Sequence, residues 1–187
     1  MDQVWRSWGA VLAATAAAVP FAVLVTVLLA RFRRDAPTPA QAWRRSLAEV
    51  AMVAGTVPWT WMILTPLDAP RRVDLVPLHD LAHLPDGSSA GEVAVQVVGN
   101  LLVFAALGCF APVRWPALAG VGRLFLLGAA ASATVETLQY ALRLGRFSTV
   151  DDVLLNATGA ALAGLLSRPW WAHRRVAPVA APATPPR

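Results

Sequence analysis

The longest uncharged run of this chain covers residues 8–30, and it restricts the folds that the chain can adopt. A helix rises about 1.5 Å per residue, so a run of this length crosses a hydrocarbon core of about 30 Å. A cleaved signal peptide has an apolar region of only about 7–15 residues behind a positive start. Here Arg6 is the one basic residue before the run, whereas a cluster of Arg follows it. We therefore expect a retained transmembrane helix.

The composition extends this expectation to most of the chain. Apolar residues make up 57% and charged residues 14%, whereas an ordinary globular protein has about 25% charged residues. Further apolar segments cover residues 47–67, 93–111, 124–142 and about 150–167. Pro58 lies near the middle of the second span, where a kink is expected. The predicted fold class is all-α, an integral membrane helical bundle with about five transmembrane helices.

The polar segments divide the chain into three parts and predict its orientation. Residues 1–45 are predicted as an N-terminal transmembrane helix with a basic cytoplasmic loop, residues 46–168 as a transmembrane domain, and residues 169–187 as a disordered Ala/Pro-rich cytoplasmic tail. Eleven Arg lie on the side that contains the C-terminus and five on the other side. The positive-inside rule therefore predicts an outer N-terminus and an inner C-terminus.

The basic residues argue against nucleic acid as a partner. All 16 are Arg, and they fall in short clusters between apolar runs, where membrane proteins place them. A nucleic-acid-binding protein needs a contiguous basic face instead. The single cysteine, Cys109, excludes an internal disulfide.

Polar side chains of three apolar segments are predicted to meet near one membrane surface. Glu136, Asn156 and Asn100 each lie about 10 Å below the outer end of their span, from the helical rise. Gln139 and Arg143 follow Glu136 at i+3 and i+7, so they share its helix face. Because charged residues in hydrocarbon are expensive, Glu136 indicates a functional site.

The turn between the last two apolar segments adds further charges to this group. It is short, so the two helices that it joins are antiparallel neighbours. Asp152 and Asn156 are spaced i, i+4 on the second of them. We predict a polar ligand-binding pocket that opens to the outside between spans three, four and five. Its predicted residues are Asn100, Glu136, Gln139, Arg143, Arg146, Asp151, Asp152 and Asn156.

Structural roles are the alternative for most of these residues. Glu136 with Arg143, and Arg146 with Asp151 or Asp152, are candidate ion pairs that hold the hairpin together. The two Asp lie at a helix start, where carboxylates are favourable, and the two cannot both face the bundle. Ser or Thr at 148–149 can cap that helix, and the Asn residues can form interhelical hydrogen bonds. Glu136 is the residue that a structural role explains least.

Other polar and small residues receive structural expectations. Glu49 is expected at the membrane interface near Arg45, within the first turn of the second span. His79 and His83 have the i, i+4 spacing of metal ligands on a helix, but this spacing alone is weak, and we predict no metal and no cofactor. The apolar segment 76–78 is expected to tuck back onto the bundle. Close packing of the last span is expected from Ala157, Gly159, Ala160, Ala161, Ala163 and Gly164.

At these residues the chain resembles the VanZ-like family of small bacterial membrane proteins. The resemblance covers roughly residues 55–166 and is most specific between Glu136 and Asn156. Its motifs are Asn100-Leu-Leu-Val-Phe104 with Leu107-Gly108, Glu136-Thr-Leu-Gln139, Gly145-Arg146, Asp151-Asp152-Val-Leu-Leu-Asn156 with Gly159, and Val76-Pro77-Leu78. The chain departs from the family pattern at Ala106, where Pro is frequent, and at Thr149, where Asp is common.

The resemblance implies a multi-pass protein of the bacterial plasma membrane and, through the family's namesake, a link to teicoplanin susceptibility. It supplies no established reaction. We expect a non-catalytic protein whose pocket binds a membrane lipid or a lipid-linked envelope precursor, with Arg143 or Arg146 meeting an anionic group. The alternative is a membrane enzyme that uses Glu136 as general acid or base on a lipid-linked substrate. A transporter is less favoured, because polar residues do not continue to the inner face.

Overall fold

The computed structural model describes residues 2–68, 72–83 and 89–172. Almost all of the regular structure is helical, and it is completed by one short parallel ribbon and a 3₁₀ turn at Pro116–Leu118. The helices are α1 (Asp2–Phe32), α2 (Pro39–Leu64), α3 (His79–His83), α4 (Ala90–Val103), α5 (Ala105–Arg114), α6 (Val121–Ala141), α7 (Val150–Leu166) and α8 (Arg168–Ala172); the strands are β1 (Arg72–Asp74) and β2 (Phe147–Thr149).

The predicted fold class is confirmed, because the chain is an all-α bundle built on membrane-spanning helices. Within the described residues, four helical segments are long and apolar enough to cross a membrane: Trp8–Phe32, Pro39–Leu64, Ala90–Arg114 and Val121–Ala141. The fifth predicted span corresponds to α7, which has 17 residues and lies at the short end of the range for transmembrane helices. It packs against α4, α5 and α6, so it forms the centre of the bundle.

The second span begins earlier than the sequence analysis placed it. The Thr38 side chain accepts a hydrogen bond from the Gln41 N–H (3.2 Å), and Pro39 occupies the first turn of α2. Ser or Thr before Pro is a strong helix start, because the hydroxyl caps a free N–H and Pro needs no donor there. The loop that connects the first two spans therefore contains only residues 33–38. Glu49 accordingly lies in the third turn of α2 rather than the first.

Glu49 joins three helices at the end of the bundle opposite the α6–α7 hairpin. Its carboxylate accepts hydrogen bonds from Arg33, just after α1, and from Arg114, the last residue of α5. Arg45 instead pairs with Asp35, with an N–O distance of 3.4 Å. Glu49 and Arg45 lie one turn apart on α2, and the partners of Glu49 are Arg33 and Arg114.

Backbone contact between α7 and the third span explains a break in that span. The helix is interrupted at Phe104, between α4 and α5, although Ala106 replaces the Pro that is frequent in the family. A Cβ atom on Gly108 would lie 2.0 Å from Ala160 O, and one on Gly159 would lie 1.9 Å from Leu101 O. Both halves of the broken helix thus lie directly on α7. The predicted close packing is confirmed, since Ala157, Gly159, Ala160, Ala161 and Gly164 are buried and Ala163 is half-buried.

The parallel ribbon was not predicted, and it fixes the relation between two loops. Arg72, Val73 and Asp74 pair with Phe147, Ser148 and Thr149 in register. Three-residue strands are too short to show a period in the sequence. The ribbon shows that segment 72–83 and the α6–α7 turn lie at the same end of the bundle, as predicted. Which side of the membrane this end faces remains a prediction.

The C-terminal region differs in part from the predicted tail. Residues 168–172 form α8, so the first residues of the segment predicted as disordered are helical. Trp171 anchors this helix, because its indole N–H donates a hydrogen bond of 2.9 Å to Ser167 Oγ. The Ala/Pro-rich segment 173–187 lies outside the described residues.

Candidate functional site

Polar side chains of α6 and α7 face each other at two levels. At the deeper level, Asn156 Nδ2 donates a hydrogen bond of 2.8 Å to Ser132 Oγ, and both residues are buried. One turn nearer the hairpin, Glu136 on α6 lies close enough to Asp152 on α7 for the two carboxyl groups to repel each other. The antiparallel packing of two helices with i, i+4 polar pairs produces this arrangement.

Asn100 brings the third span to the same place. Its Nδ2 donates a hydrogen bond of 2.6 Å to Asp152 Oδ1. The helical rise predicts Asn100 at the same depth as Asn156. Its hydrogen-bond partner Asp152 instead lies one helical turn closer to the hairpin than Asn156. The predicted meeting of spans three, four and five is therefore observed, with Asp152 at the junction.

Asp151 holds the apolar loop segment against the hairpin. Its side chain is 1% exposed, and its Oδ1 accepts a hydrogen bond from the backbone N–H of Leu78. Leu78 has a φ of 62°, a left-handed conformation that costs roughly 1–2 kcal/mol for an L-residue. The backbone of this segment is held against α7, but Val76 and Leu78 are 60% and 61% exposed, so the expected tucking of its apolar side chains onto the bundle is not observed. Asp152 contacts α4 in the bundle, whereas Asp151 is buried by contact with the loop segment.

Gln139 and Arg146 hold the end of α2. Gln139 Nε2 donates a hydrogen bond of 2.7 Å to the Ile63 carbonyl, and Arg146 donates to the carbonyls of Met62 (2.7 Å) and Thr65 (3.0 Å). The last carbonyls of a helix lack intrahelical partners and carry the negative end of its dipole, so these donors stabilise the α2 terminus.

Arg146 therefore has a different role from the predicted ion pair with Asp151 or Asp152. In the part of the chain that the structure describes, it forms no salt bridge. Burial lowers the pKa of its guanidinium, and the nearby Glu136 carboxyl opposes this shift. Because the guanidinium is the most basic side chain and stays protonated in proteins, Arg146 remains a cation at neutral pH.

Arg143 lies outside the cluster, contrary to the prediction. Helix α6 ends at Ala141, and Arg143 has a φ of 57°, so it cannot continue the helix face that carries Glu136. Its side chain is exposed and makes no hydrogen bond or ion pair with other described residues. The i+7 relation to Glu136 fails because it assumes that the helix continues past residue 141.

Among the predicted site residues that lie in the cluster, Glu136 has the fewest stabilising contacts. The residue is half-buried, and its Oε2 atom is fully buried without a hydrogen-bond partner among the described residues. Ser148 lies beside the carboxyl, yet Ser148 Oγ is likewise buried and forms no hydrogen bond of normal geometry. Arg146 and Asp152 act on Glu136 with opposite charge. The carboxyl thus lies among polar groups that do not satisfy it.

Two further oxygens of the predicted site residues likewise lack a hydrogen-bond partner within the described chain. Gln139 Oε1 and Asn156 Oδ1 are buried, and neither has a hydrogen-bond partner. Buried polar atoms are normally bonded to protein or ordered water, so a group of them requires an explanation such as a bound ligand. Ser148 and Ser132 were not among the predicted site residues. Ser132 precedes Glu136 by four residues, and this spacing could have identified it.

Two other features lie apart from this cluster. A groove of about 1100 Å³ between α1 and α2 is lined almost entirely by apolar side chains and contains none of the predicted site residues.

His79 and His83 lie on α3, where the His79 ring contacts Asp74 Oδ2 at 2.6 Å and the His83 ring contacts the His79 carbonyl. Among the described residues, no three potential ligands are grouped to hold a metal ion.

The model of the VanZ/LLP1 family matches residues 52–171, which is more than half of the chain and contains every predicted site residue. No curated protein and no solved structure matches the chain.

Proposed function

The chain belongs to the VanZ/LLP1 family, and from this premise we propose that it is a non-catalytic protein of the bacterial plasma membrane that binds a cell-envelope component or lipid head group. The proposed binding site, here named the hairpin site, consists of Asn100, Glu136, Gln139, Ser148, Asp152 and Asn156. All six lie at or next to the α6–α7 hairpin. Through the family's namesake, the proposal extends to glycopeptide susceptibility, with teicoplanin as the compound to test.

The unsatisfied carboxyl of Glu136 is the observation that carries this proposal. Burying a polar group without a partner costs roughly 1–3 kcal/mol, and a charged group costs more. The other polar residues of the family motifs contribute to holding the bundle together: Asp152 bonds to α4, Asp151 to the loop, and Gln139 to α2. Glu136 connects no helices by a hydrogen bond, so its burial supports a role in binding.

The position of the hairpin site suits a head group. Glu136 precedes the end of α6 by five residues, which places it about 7 Å below that end. With the predicted orientation, this depth is in the outer leaflet, where head groups and lipid-linked envelope precursors are found. The Glu136 residue as a whole is half-buried, although its Oε2 atom is fully buried.

Enzymatic activity is the second candidate function. The presence of Asp152 as a second carboxyl group beside Glu136 favours it. General acid–base catalysis frequently uses two carboxyl groups in different environments. Glu136 is unsatisfied, whereas Asp152 accepts a hydrogen bond from Asn100. In this reading Glu136 would transfer the proton, and Asp152 would orient the substrate.

A comparison of Glu136→Gln with the wild type tests the proposal. The protein is purified from its native membrane in mild detergent, and co-purified lipids and precursors are identified by native mass spectrometry. We expect the variant to lose a bound species that the wild type retains. Thr134→Val is the matched control, because Thr134 is exposed on the same helix and bonds only to the Ala130 carbonyl of its own helix.

The outcomes separate the candidate functions. Equal amounts of every co-purified species in wild type and Glu136→Gln, with equal thermal stability, would contradict binding at the hairpin site. Retained binding with loss of conversion of a precursor would favour the enzyme. In cells, a deletion strain that carries either variant is compared for teicoplanin susceptibility and for envelope precursors.

A further inference from the structure

We propose that the hairpin site selects a head group with a primary ammonium, rather than an anionic group. This inference rests on the proposed function and specifies its ligand. A primary ammonium carries three hydrogen-bond donors, one positive charge and no acceptor. Three features of the hairpin site suit such a group: acceptor atoms without partners, donors that already make hydrogen bonds within the protein, and two carboxyl groups.

Three free atoms of the site can only accept hydrogen bonds. Glu136 Oε2, Gln139 Oε1 and Asn156 Oδ1 are buried without partners among the residues that the structure describes, and the Ser148 hydroxyl, which can donate as well as accept, is buried beside the Glu136 carboxyl. Gln139 is 6% exposed and Ser148 is 7% exposed, so bulk water does not satisfy them. The amide of Gln139 cannot be reversed, because the Ile63 carbonyl that it contacts can only accept a hydrogen bond.

Three donor groups of the site already make hydrogen bonds. The amide nitrogen of Asn100 donates to Asp152, and that of Asn156 donates to Ser132. Two nitrogens of Arg146 donate to carbonyls at the end of α2. An anionic phosphate needs donors, and it would have to compete with these contacts. The anionic ligand that the sequence suggested for Arg146 is therefore disfavoured.

The charges of the site point the same way. Glu136 and Asp152 contribute two carboxyl groups, and Arg146 is the cation that faces Glu136. The charge of Arg146 is directed partly to the carbonyl end of α2, which also attracts it. In a site of low dielectric, an added cation stabilises the ionised form of a buried carboxylate strongly.

Lipids that differ only in their head group test this inference. Wild-type protein is titrated with phosphatidylethanolamine, phosphatidylcholine and phosphatidylglycerol of equal short acyl chains, and binding is measured by native mass spectrometry. Phosphatidylcholine has a positive charge but no N–H donor, so it separates donor recognition from charge. A charge-assisted hydrogen bond contributes roughly 1.5–3 kcal/mol, so we expect at least about tenfold tighter binding of phosphatidylethanolamine than of either other lipid.

Two variants and one soluble amine complete the experiment. Glu136→Gln and Ser148→Ala are expected to reduce phosphatidylethanolamine binding to the level of phosphatidylcholine, whereas Thr134→Val keeps the wild-type preference. Free ethanolamine is added as a competitor to identify the source of the ammonium. Competition at equal concentration indicates a soluble amine as ligand, and lack of competition indicates a membrane lipid; both outcomes support ammonium recognition.

The contradictory outcomes are distinct for the two proposals. Binding that depends on Glu136 but favours phosphatidylglycerol would overturn the ammonium inference and leave the proposed function intact. Equal binding of all three lipids by the wild type would overturn the inference without relying on any variant. Tight binding of phosphatidylethanolamine that neither Glu136→Gln nor Ser148→Ala changes would place the amine site elsewhere and overturn the hairpin assignment.

Discussion

Gly159 provides the sharpest test of the packing between α7 and the third span. A Cβ atom added there would lie 1.9 Å from Leu101 O and 2.7 Å from Leu101 Cα. Both are backbone atoms, so the clash cannot be relieved by rotating a side chain, and α4 must move away from α7. Overpacking of a well-packed interior costs roughly 1–3 kcal/mol. The higher helix propensity of Ala offsets about 1 kcal/mol at most.

We expect the free energy of unfolding of Gly159→Ala to be about 1–3 kcal/mol below that of Gly99→Ala, because both variants gain helix propensity and only the first one clashes. Gly99→Ala is the matched control, because Gly99 lies on α4 two residues from Leu101 and a Cβ there would meet no atom within 4 Å. Unfolding in mixed micelles of mild detergent and dodecyl sulfate is followed by Trp fluorescence for both variants. If Gly159→Ala proved as stable as Gly99→Ala, the backbones of α4 and α7 would not be in contact and the arrangement around Asp152 would be wrong.

Three further predictions concern the two ends of the bundle. Arg146→Gln should destabilise the protein by about 2 kcal/mol, because two carbonyls at the end of α2 lose a charged donor. Hydrogen exchange of the backbone amides that follow the end of α2 should become faster. Glu49→Gln should lower stability by about 1 kcal/mol, measured by the same unfolding assay, because its pairs with two Arg are only partly buried. In a Cys109→Ala background, Leu142→Cys should react with an impermeant maleimide in intact cells, whereas Trp115→Cys should react only after permeabilisation; the reverse pattern would contradict the predicted orientation.

Hydrophobic length predicted the transmembrane segments because it is a property of each segment alone. The ends of helices depend on finer signals, and Thr38-Pro39 illustrates this. Arg44 and Arg45 lie within the first turns of α2, although their polarity is typical of a loop between spans. The capping geometry outweighs their polarity, since Arg near a helix end can extend to the membrane surface.

The sequence also identified the polar residues of the hairpin but not most of their partners. Helical spacing fixes the face and depth of a residue on its own helix, and it predicted that polar residues of spans three, four and five meet, which the Asn100–Asp152 contact and the nearby Glu136 bear out. It does not show which backbone groups approach from another helix. Gln139 and Arg146 bind carbonyls of α2, and every residue type carries a carbonyl, so no side-chain pattern could indicate these contacts.

The contacts of the family motifs together explain why Glu136 can remain unsatisfied. Gln139 holds α2, Asp151 holds the loop, and Asp152 holds α4, so three separate segments are tied to the hairpin around one carboxyl. If these contacts were absent, α6 could rotate or the loop could shift until Glu136 found a partner or reached water. A binding site functions best when its supporting residues fix the geometry before the ligand arrives. Loss of the Asp151 contact should therefore weaken binding at Glu136 even though Asp151 itself is bonded to the loop and not to the proposed ligand.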